Sequence, residues 1–270
     1  MRKVISFLKS MIVPILLLGL WELISRNHSI LNIIYGLCGY PIEKIPDFSF
    51  ILPISSILSS LLEMLLTKEF YSFIGDTFLV LCSAFVLSLI LGITIGSIIG
   101  LHKRLEKYLF STVDALRSVP PIALLPIFIL FLGIDNQMKI AFVLFGGVWP
   151  VLINTFFAIR DIDPIYLKVT KNLQLSKSNT LFKVIYPLAS PAIFTGIKIS
   201  LSLCLILTIV CEMLIGNKGI GFLINVSKRN ADYDAMFAGI LVVAILGWLI
   251  NKIFKYADQH FLKWYYQKQQ

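Results

Sequence analysis

The chain has 270 residues, of which 57% are hydrophobic and only 14% charged, and its mean hydropathy is +0.85. This composition excludes an ordinary soluble domain and places the chain in a lipid bilayer. The net charge of +9 does not call for nucleic acid, because basic loops facing anionic lipid explain it.

A helix rises about 1.5 Å per residue, so about 20 mostly apolar residues cross the ~30 Å hydrocarbon core. Counted against that length, the sequence predicts an all-α integral membrane protein with about six spans. The first covers residues 4–24 and contains Lys9 and Glu22; with no small-x-small site before Trp21, it is expected to be an uncleaved span. Residues 27–42 are apolar but short and rich in Gly, Pro and Asn, which suits either an external linker or a segment dipping into the membrane. The second span, 77–101, is free of charge, and its "GITIGSIIG" sets Gly92, Gly96 and Gly100 on one face, a pattern for close helix packing. Asp114 and Arg117, at i and i+3, suit either a local surface pair or a transport role. In the third span, 118–134, Pro120 and Pro121 must break backbone hydrogen bonds and kink the helix. That kink is either purely structural or exposes carbonyls to a translocation path. The fourth span is 140–159, the fifth is 190–215, interrupted only by Lys198 and Glu212, and the sixth is 235–251.

Between the fourth and fifth spans lies a basic, soluble-looking segment, residues 160–188. Asp163 followed by Pro164 is a good helix start, an N-cap side chain and then a residue whose missing N–H is not needed. Ile165, Val169 and Leu173 recur every four residues as a narrow apolar stripe opposite Lys168 and Lys171. Ser178 is expected to cap a second short helix carrying Leu181, Phe182 and Ile185, which Pro187 should end. Such helices either lie flat on the membrane or offer an apolar ridge to the groove of a soluble partner.

The loops predicted inside hold 15 of the 24 Lys and Arg and the outer ones 7, so both termini and the 160–188 loop are expected on the cytoplasmic side. No GxxxxGK[ST] or HExxH is present, and His28, His102 and His260 are scattered. Cys38, Cys82, Cys204 and Cys211 form no CxxC pair and read as packing residues. No catalytic residue and no metal ligand is therefore assigned. Pro187 and Pro191 should delay the fifth helix to about residue 192, placing Lys198 about 9 Å into it. From there Lys198 either snorkels to the interface or faces the path, where it would attract an oxyanion; Glu212 lies about 21 Å further along.

The segment resembles the cytoplasmic "EAA" loop of ABC importer permeases, E-A-A-x3-G-x9-I-x-L-P. Lys168, Val169 and Thr170 stand at the E-A-A positions, Gln174 at the glycine, Val184 at the isoleucine and Tyr186-Pro187 at L-P. "LPISSILSSLLEMLL", "ALRSVPPIALLPIFILFLGID", "WPVLINT", "EMLIGNKGIGFLI" and "FAGILVVAILGWLINKIF" follow the family order, and the second is similar to a hallmark of the nitrate, sulfonate and taurine permeases. The resemblance implies a type I importer permease fold over residues 51–270, with residues 1–50 as a first helix and external linker. It implies a homodimer in the bacterial cytoplasmic membrane, partnered by cytoplasmic ABC ATPase subunits and an extracytoplasmic substrate-binding protein, with no nucleic acid. ATP would be bound by the ATPase, leaving this chain without a cofactor. The cargo would be an oxyanion such as nitrate, sulfonate or taurine, or a vitamin-precursor-like compound. Ile165, Lys168, Val169, Thr170, Leu173, Gln174, Val184 and Pro187 would form the coupling loop, and Lys168 and Gln174, departing from the motif, imply a dedicated ATPase. Pro120, Pro121, Lys198 and Glu212 are the candidates for the translocation path. The alternative is a self-sufficient secondary transporter, which would be expected to show internal repeats and mid-membrane ionisable groups.

Overall fold

The computed structural model describes residues 16–17, 19–26 and 52–267; most of the first expected span and the 27–42 segment lie outside them. Two compact units can be distinguished, Met1–Ser72 with Leu223–Val242, and Phe73–Phe222 with Val243–Gln270. In the first, α1 (Ile54–Leu65) follows Pro53. Glu22 pairs with Arg26 at 2.7 Å and accepts hydrogen bonds from the Ser55 N–H at 3.3 Å and hydroxyl at 2.9 Å, so a carboxylate sits at the start of α1.

The remaining helices are α2 (Lys68–Leu101), α3 (Lys103–Arg117), α4 (Leu125–Leu132), α5 (Asn136–Arg160), α6 (Pro164–Asn172), α7 (Lys177–Thr180), α8 (Tyr186–Ile215), α9 (Ile220–Arg229), α10 (Tyr233–Phe261) and α11 (Lys263–Gln267). Among the described residues four helices are long and apolar enough to cross a membrane: α2, α5, the continuous Lys177–Ile215 and α10. The expected third span is not one straight helix. Pro120 is extended and Pro121 opens a 3-10 turn, Pro121–Leu124, so that α3 and the apolar stretch Pro121–Leu132 meet at 83°. Two adjacent prolines supply no backbone donors there, and the eight residues of α4 reach only about 12 Å. Asp114 and Arg117 do form a pair at 2.6 Å on α3.

In the second unit, α2, α5 and α8 enclose a core of Val80, Leu81, Ala84, Met138, Phe142, Val143, Cys204, Leu207 and Cys211. Large apolar side chains such as Phe78, Ile90 and Ile206 are exposed, as suits surfaces meant for lipid, so packing rather than expulsion from water must hold the helices together. The α2–α5 seam is built from glycines. A Cβ added at Gly92 would stand 2.7 Å from the Val151 Cβ, at Gly96 2.6 Å from the Leu152 carbonyl oxygen, and at Gly100 3.0 Å from that of Phe156. α8 meets α5 the same way at Gly196, where a Cβ would be 2.7 Å from the Pro150 carbonyl oxygen, and Ser200 donates to the Gly147 carbonyl oxygen at 2.7 Å.

Two expectations about the prolines need correction. Pro187 does not end a helix; five residues, Leu181–Ile185, form a π turn that shifts the register, so Pro187 falls in the first turn of α8, where its missing N–H is not needed. Pro191 lies inside α8, and the Pro187 carbonyl that loses its partner accepts the Ser190 hydroxyl at 2.8 Å instead. The helix is therefore continuous through the position expected to interrupt it, and Lys198 lies 12 residues, about 18 Å, beyond Tyr186.

Candidate functional site

The loop between α5 and α8 stands on a fixed base. Arg160, the last residue of α5, bridges to Glu106 of α3 at 3.1 Å and lies over the Phe156 and Phe157 rings. Ile159 packs with Ile185, Ala189 and Ile193, and the Tyr186 hydroxyl is 3.1 Å from that of Ser97 on α2. Both ends of the loop are thus tied to helices of the second unit.

On that base α6 is stopped at both ends by its own sequence. Asp163 accepts the Ile165 N–H at 2.8 Å, and Pro164 follows at the first helical position. At the other end the Leu175 N–H reaches the Thr170 carbonyl at 3.0 Å and the Gln174 N–H reaches that of Lys171 at 3.0 Å, the paired bonds of a Schellman stop. Such a stop needs a left-handed residue, and Gln174 takes it with φ +51, at the position where the importer loop carries glycine. The cap of α7 is Ser176, which accepts the Asn179 N–H at 3.2 Å; Ser178, the expected cap, lies two residues further on, within the first turn. A Schellman stop ending at Leu175 leaves the next residue to begin a new helix, which the sequence pattern alone does not reveal.

The capped helix presents an apolar ridge. Ile165 is 58% exposed, Val169 49% and Leu173 65%, and Phe182 of the π turn 64%. Lys168, Lys171 and Gln174 are exposed beside them, whereas Thr170 is buried and its hydroxyl donates to the Leu167 carbonyl at 2.9 Å. Val184 and Pro187 do not join the ridge; with Tyr166, Lys183, Leu188 and Trp264 they line a separate pocket against α11. The structure therefore brings together Ile165, Val169 and Leu173, leaves Lys168 and Gln174 exposed beside them, buries Thr170 and sets Val184 and Pro187 in that pocket.

Pro120, Pro121, Lys198 and Glu212 stand at separate places. Pro120 and Pro121 form the bend before α4, and Lys198 is exposed in a cleft with Lys255 and Asp258 of α10. Glu212 is fully buried near the end of α8. Its Oε2 accepts the Thr77 hydroxyl at 2.9 Å and the Gly221 N–H at 3.0 Å, while Thr77 accepts the Ile220 N–H at 2.9 Å. Gly219, with φ +104, leaves room for the carboxyl group, which occupies the space a side chain there would need. Glu212 thus clasps α2, the 216–219 turn and the first turn of α9, where a carboxylate also meets the positive end of the helix. Sequence reading missed two residues here. Lys139, one residue before the fourth expected span, is only 1% exposed and donates to the Lys218 carbonyl at 3.3 Å. Thr77 carried no signal beyond opening a charge-free run.

Residues 88–264 match the family described as "Binding-protein-dependent transport system inner membrane component". The chain is 29% identical over 263 residues to the putative aliphatic sulfonates transport permease protein SsuC of Bacillus subtilis (strain 168), covering 97% of this chain and 90% of the relative. It is 31% identical over 169 residues to the nitrate import permease protein NrtB of Synechocystis, covering 63% of this chain and 62% of the relative. With the bicarbonate transport system permease protein CmpB of Synechococcus elongatus it shares 35% identity over 182 residues, covering 66% and 65% respectively, so both of these matches span less than two thirds of the relative. Among solved structures, an amino acid ABC transporter with histidines aligns with a TM-score of 0.56 at 13% identity over 81% of this chain and 99% of that one. The MetNI methionine ABC transporter in an inward-facing conformation aligns with a TM-score of 0.52 at 18% identity over 78% and 96%. At such identities these likenesses speak for the fold alone, and the fold is that of type I ABC importer permeases.

Proposed function

The chain belongs to the family of binding-protein-dependent transport system inner membrane components, and from that premise we propose that its 160–188 loop docks a cytoplasmic ATPase and so couples ATP hydrolysis to import. The chain is the membrane-spanning permease of an ABC importer. The observation that carries the docking reading is the exposed ridge of Ile165, Val169 and Leu173 on a helix fixed by an Asp163 cap and a Schellman stop. An apolar row of this kind, rigid before binding, suits insertion into a groove, because little order is lost when the partner closes over it. Lys168 and Lys171 beside the ridge favour an acidic rim on that partner.

In this reading the energy comes from a separate ATPase chain, an extracytoplasmic binding protein delivers the cargo, and two copies of this chain form the path. Both termini and the loop are cytoplasmic in this reading, which the Lys and Arg balance supports. The cargo is a small oxyanion, a reading supported by relatives named for sulfonate, nitrate and bicarbonate transport.

The test is Leu173→Arg. Placing a charge in an apolar contact of this size should weaken docking by about 2 kcal/mol or more, roughly 30-fold. The expected result is loss of the coexpressed ATPase from the purified complex while the permease level in membranes is unchanged. A helix lying on the membrane would tolerate an arginine reaching for headgroups, so copurification of the ATPase at wild-type yield refutes docking.

A further inference from the structure

At the loop end of α8 and α10 lies a cleft of about 630 Å³, within the size range of ligand pockets. Its charged lining is Lys198 of α8 with Lys255 and Asp258 of α10, a formal balance of +1, and Pro191, Phe194 and Phe254 supply apolar wall. Phe194 packs against the Phe254 and Phe261 rings, with centroids 6.3 and 6.0 Å apart, so the wall is preformed. A second observation fixes its level. On α10 the Lys252 ammonium lies 4.5 Å from the ring centroid of Trp248, which is 61% exposed, and Tyr256 is 65% exposed. Exposed Trp, Tyr and Lys together mark the interface between hydrocarbon and headgroups, and Lys255 lies three residues beyond Lys252, about 4.5 Å nearer the helix end. The cleft thus opens where lipid phosphates lie, with two ammonium groups beside an aromatic wall.

We propose that this cleft binds a monoanionic phospholipid whose headgroup carries hydroxyls, of the phosphatidylglycerol type. The phosphodiester sits between Lys198 and Lys255, a headgroup hydroxyl donates to the Asp258 carboxylate, and the glycerol carbons rest against Phe194 and Phe254. The balance of +1 matches one negative charge, whereas a zwitterionic lipid leaves it uncompensated. Leu188 lines both this cleft and the pocket holding Val184 and Pro187, so a bound lipid also buttresses the root of the docking loop. The proposal requires only that the chain sits in a membrane and is independent of the docking reading.

The experiment is native mass spectrometry of the full chain in detergent, titrated with phosphatidylglycerol, phosphatidylethanolamine or phosphatidylcholine, with sodium sulfate as competitor. Retention of phosphatidylglycerol above the other two is expected, with Lys198→Gln and Lys255→Gln each weakening it about fivefold and Lys263→Gln, outside the cleft, leaving it unchanged. Lys198→Arg should retain the lipid, which separates loss of charge from loss of folding. Equal retention of phosphatidylethanolamine, or wild-type binding by both glutamine variants, overturns the proposal. Displacement of the lipid by millimolar sulfate overturns it in favour of a site for a free oxyanion.

Discussion

Replacing Gly96 by alanine tests whether the α2–α5 seam is held by backbone approach. The new Cβ would stand 2.6 Å from the Leu152 carbonyl oxygen and 2.9 Å from the Thr155 Cβ. Carbon atoms rest at about 3.5–4.0 Å, so α2 must withdraw by at least ~0.6 Å, and a gap of that size forfeits a quarter or more of each contact along the seam. Overpacking of this kind costs about 1–3 kcal/mol, while alanine gains about 0.5–1 kcal/mol over glycine in a helix. The net expectation for Gly96→Ala is a loss of about 1–2 kcal/mol. Gly75→Ala, on the same helix with nothing within 4 Å of the added atom, should gain about 0.5–1 kcal/mol. Gly100→Ala, at 3.0 Å from the Phe156 oxygen and 3.2 Å from the Ile159 Cβ, should fall between them. Cys204 and Cys211 are fully buried and report unfolding to a thiol-reactive dye on heating in detergent, once Cys38 and Cys82 are replaced by serine. A melting temperature for Gly96→Ala equal to that of Gly75→Ala would show that the helices are not held at this distance by the glycines.

Three further outcomes are expected. Gln174 holds a left-handed conformation that costs a side-chain-bearing residue about 1–2 kcal/mol, so Gln174→Gly should slow proteolytic cutting at Lys171 and Lys177, and Gln174→Val, β-branched, should speed it. Glu212→Ala leaves the buried Thr77 hydroxyl and Gly221 N–H without their acceptor and should cost about 1–3 kcal/mol for each; Glu212→Gln keeps one carbonyl oxygen and should melt above it, and the reverse order would refute the clasp. Single cysteines at Lys103, Lys171 and Lys263, in a chain lacking the native four, should resist a membrane-impermeant thiol reagent in intact cells, and labelling at Lys171 would invert the orientation.

The sequence by itself determined what depends on neighbours along the chain. Hydropathy runs identified a membrane protein, and Asp163 with Pro164 started α6 because a cap bonds only two residues onward. Glycines spaced by four share a helix face in any fold, but that Gly92, Gly96 and Gly100 meet α5 was decided by the tertiary structure. The same holds for Glu212, whose partner Thr77 is 135 positions away, and for Lys139, whose carbonyl partner belongs to residue 218. Proline shows the division most clearly. From sequence, Pro120, Pro187 and Pro191 are equivalent helix breakers, yet only the first leaves a bend. A proline always removes a donor, but whether the helix survives depends on whether a π turn before Pro187 or the Ser190 hydroxyl beside Pro191 repairs the hydrogen bonding, and whether packed neighbours hold the repaired helix straight.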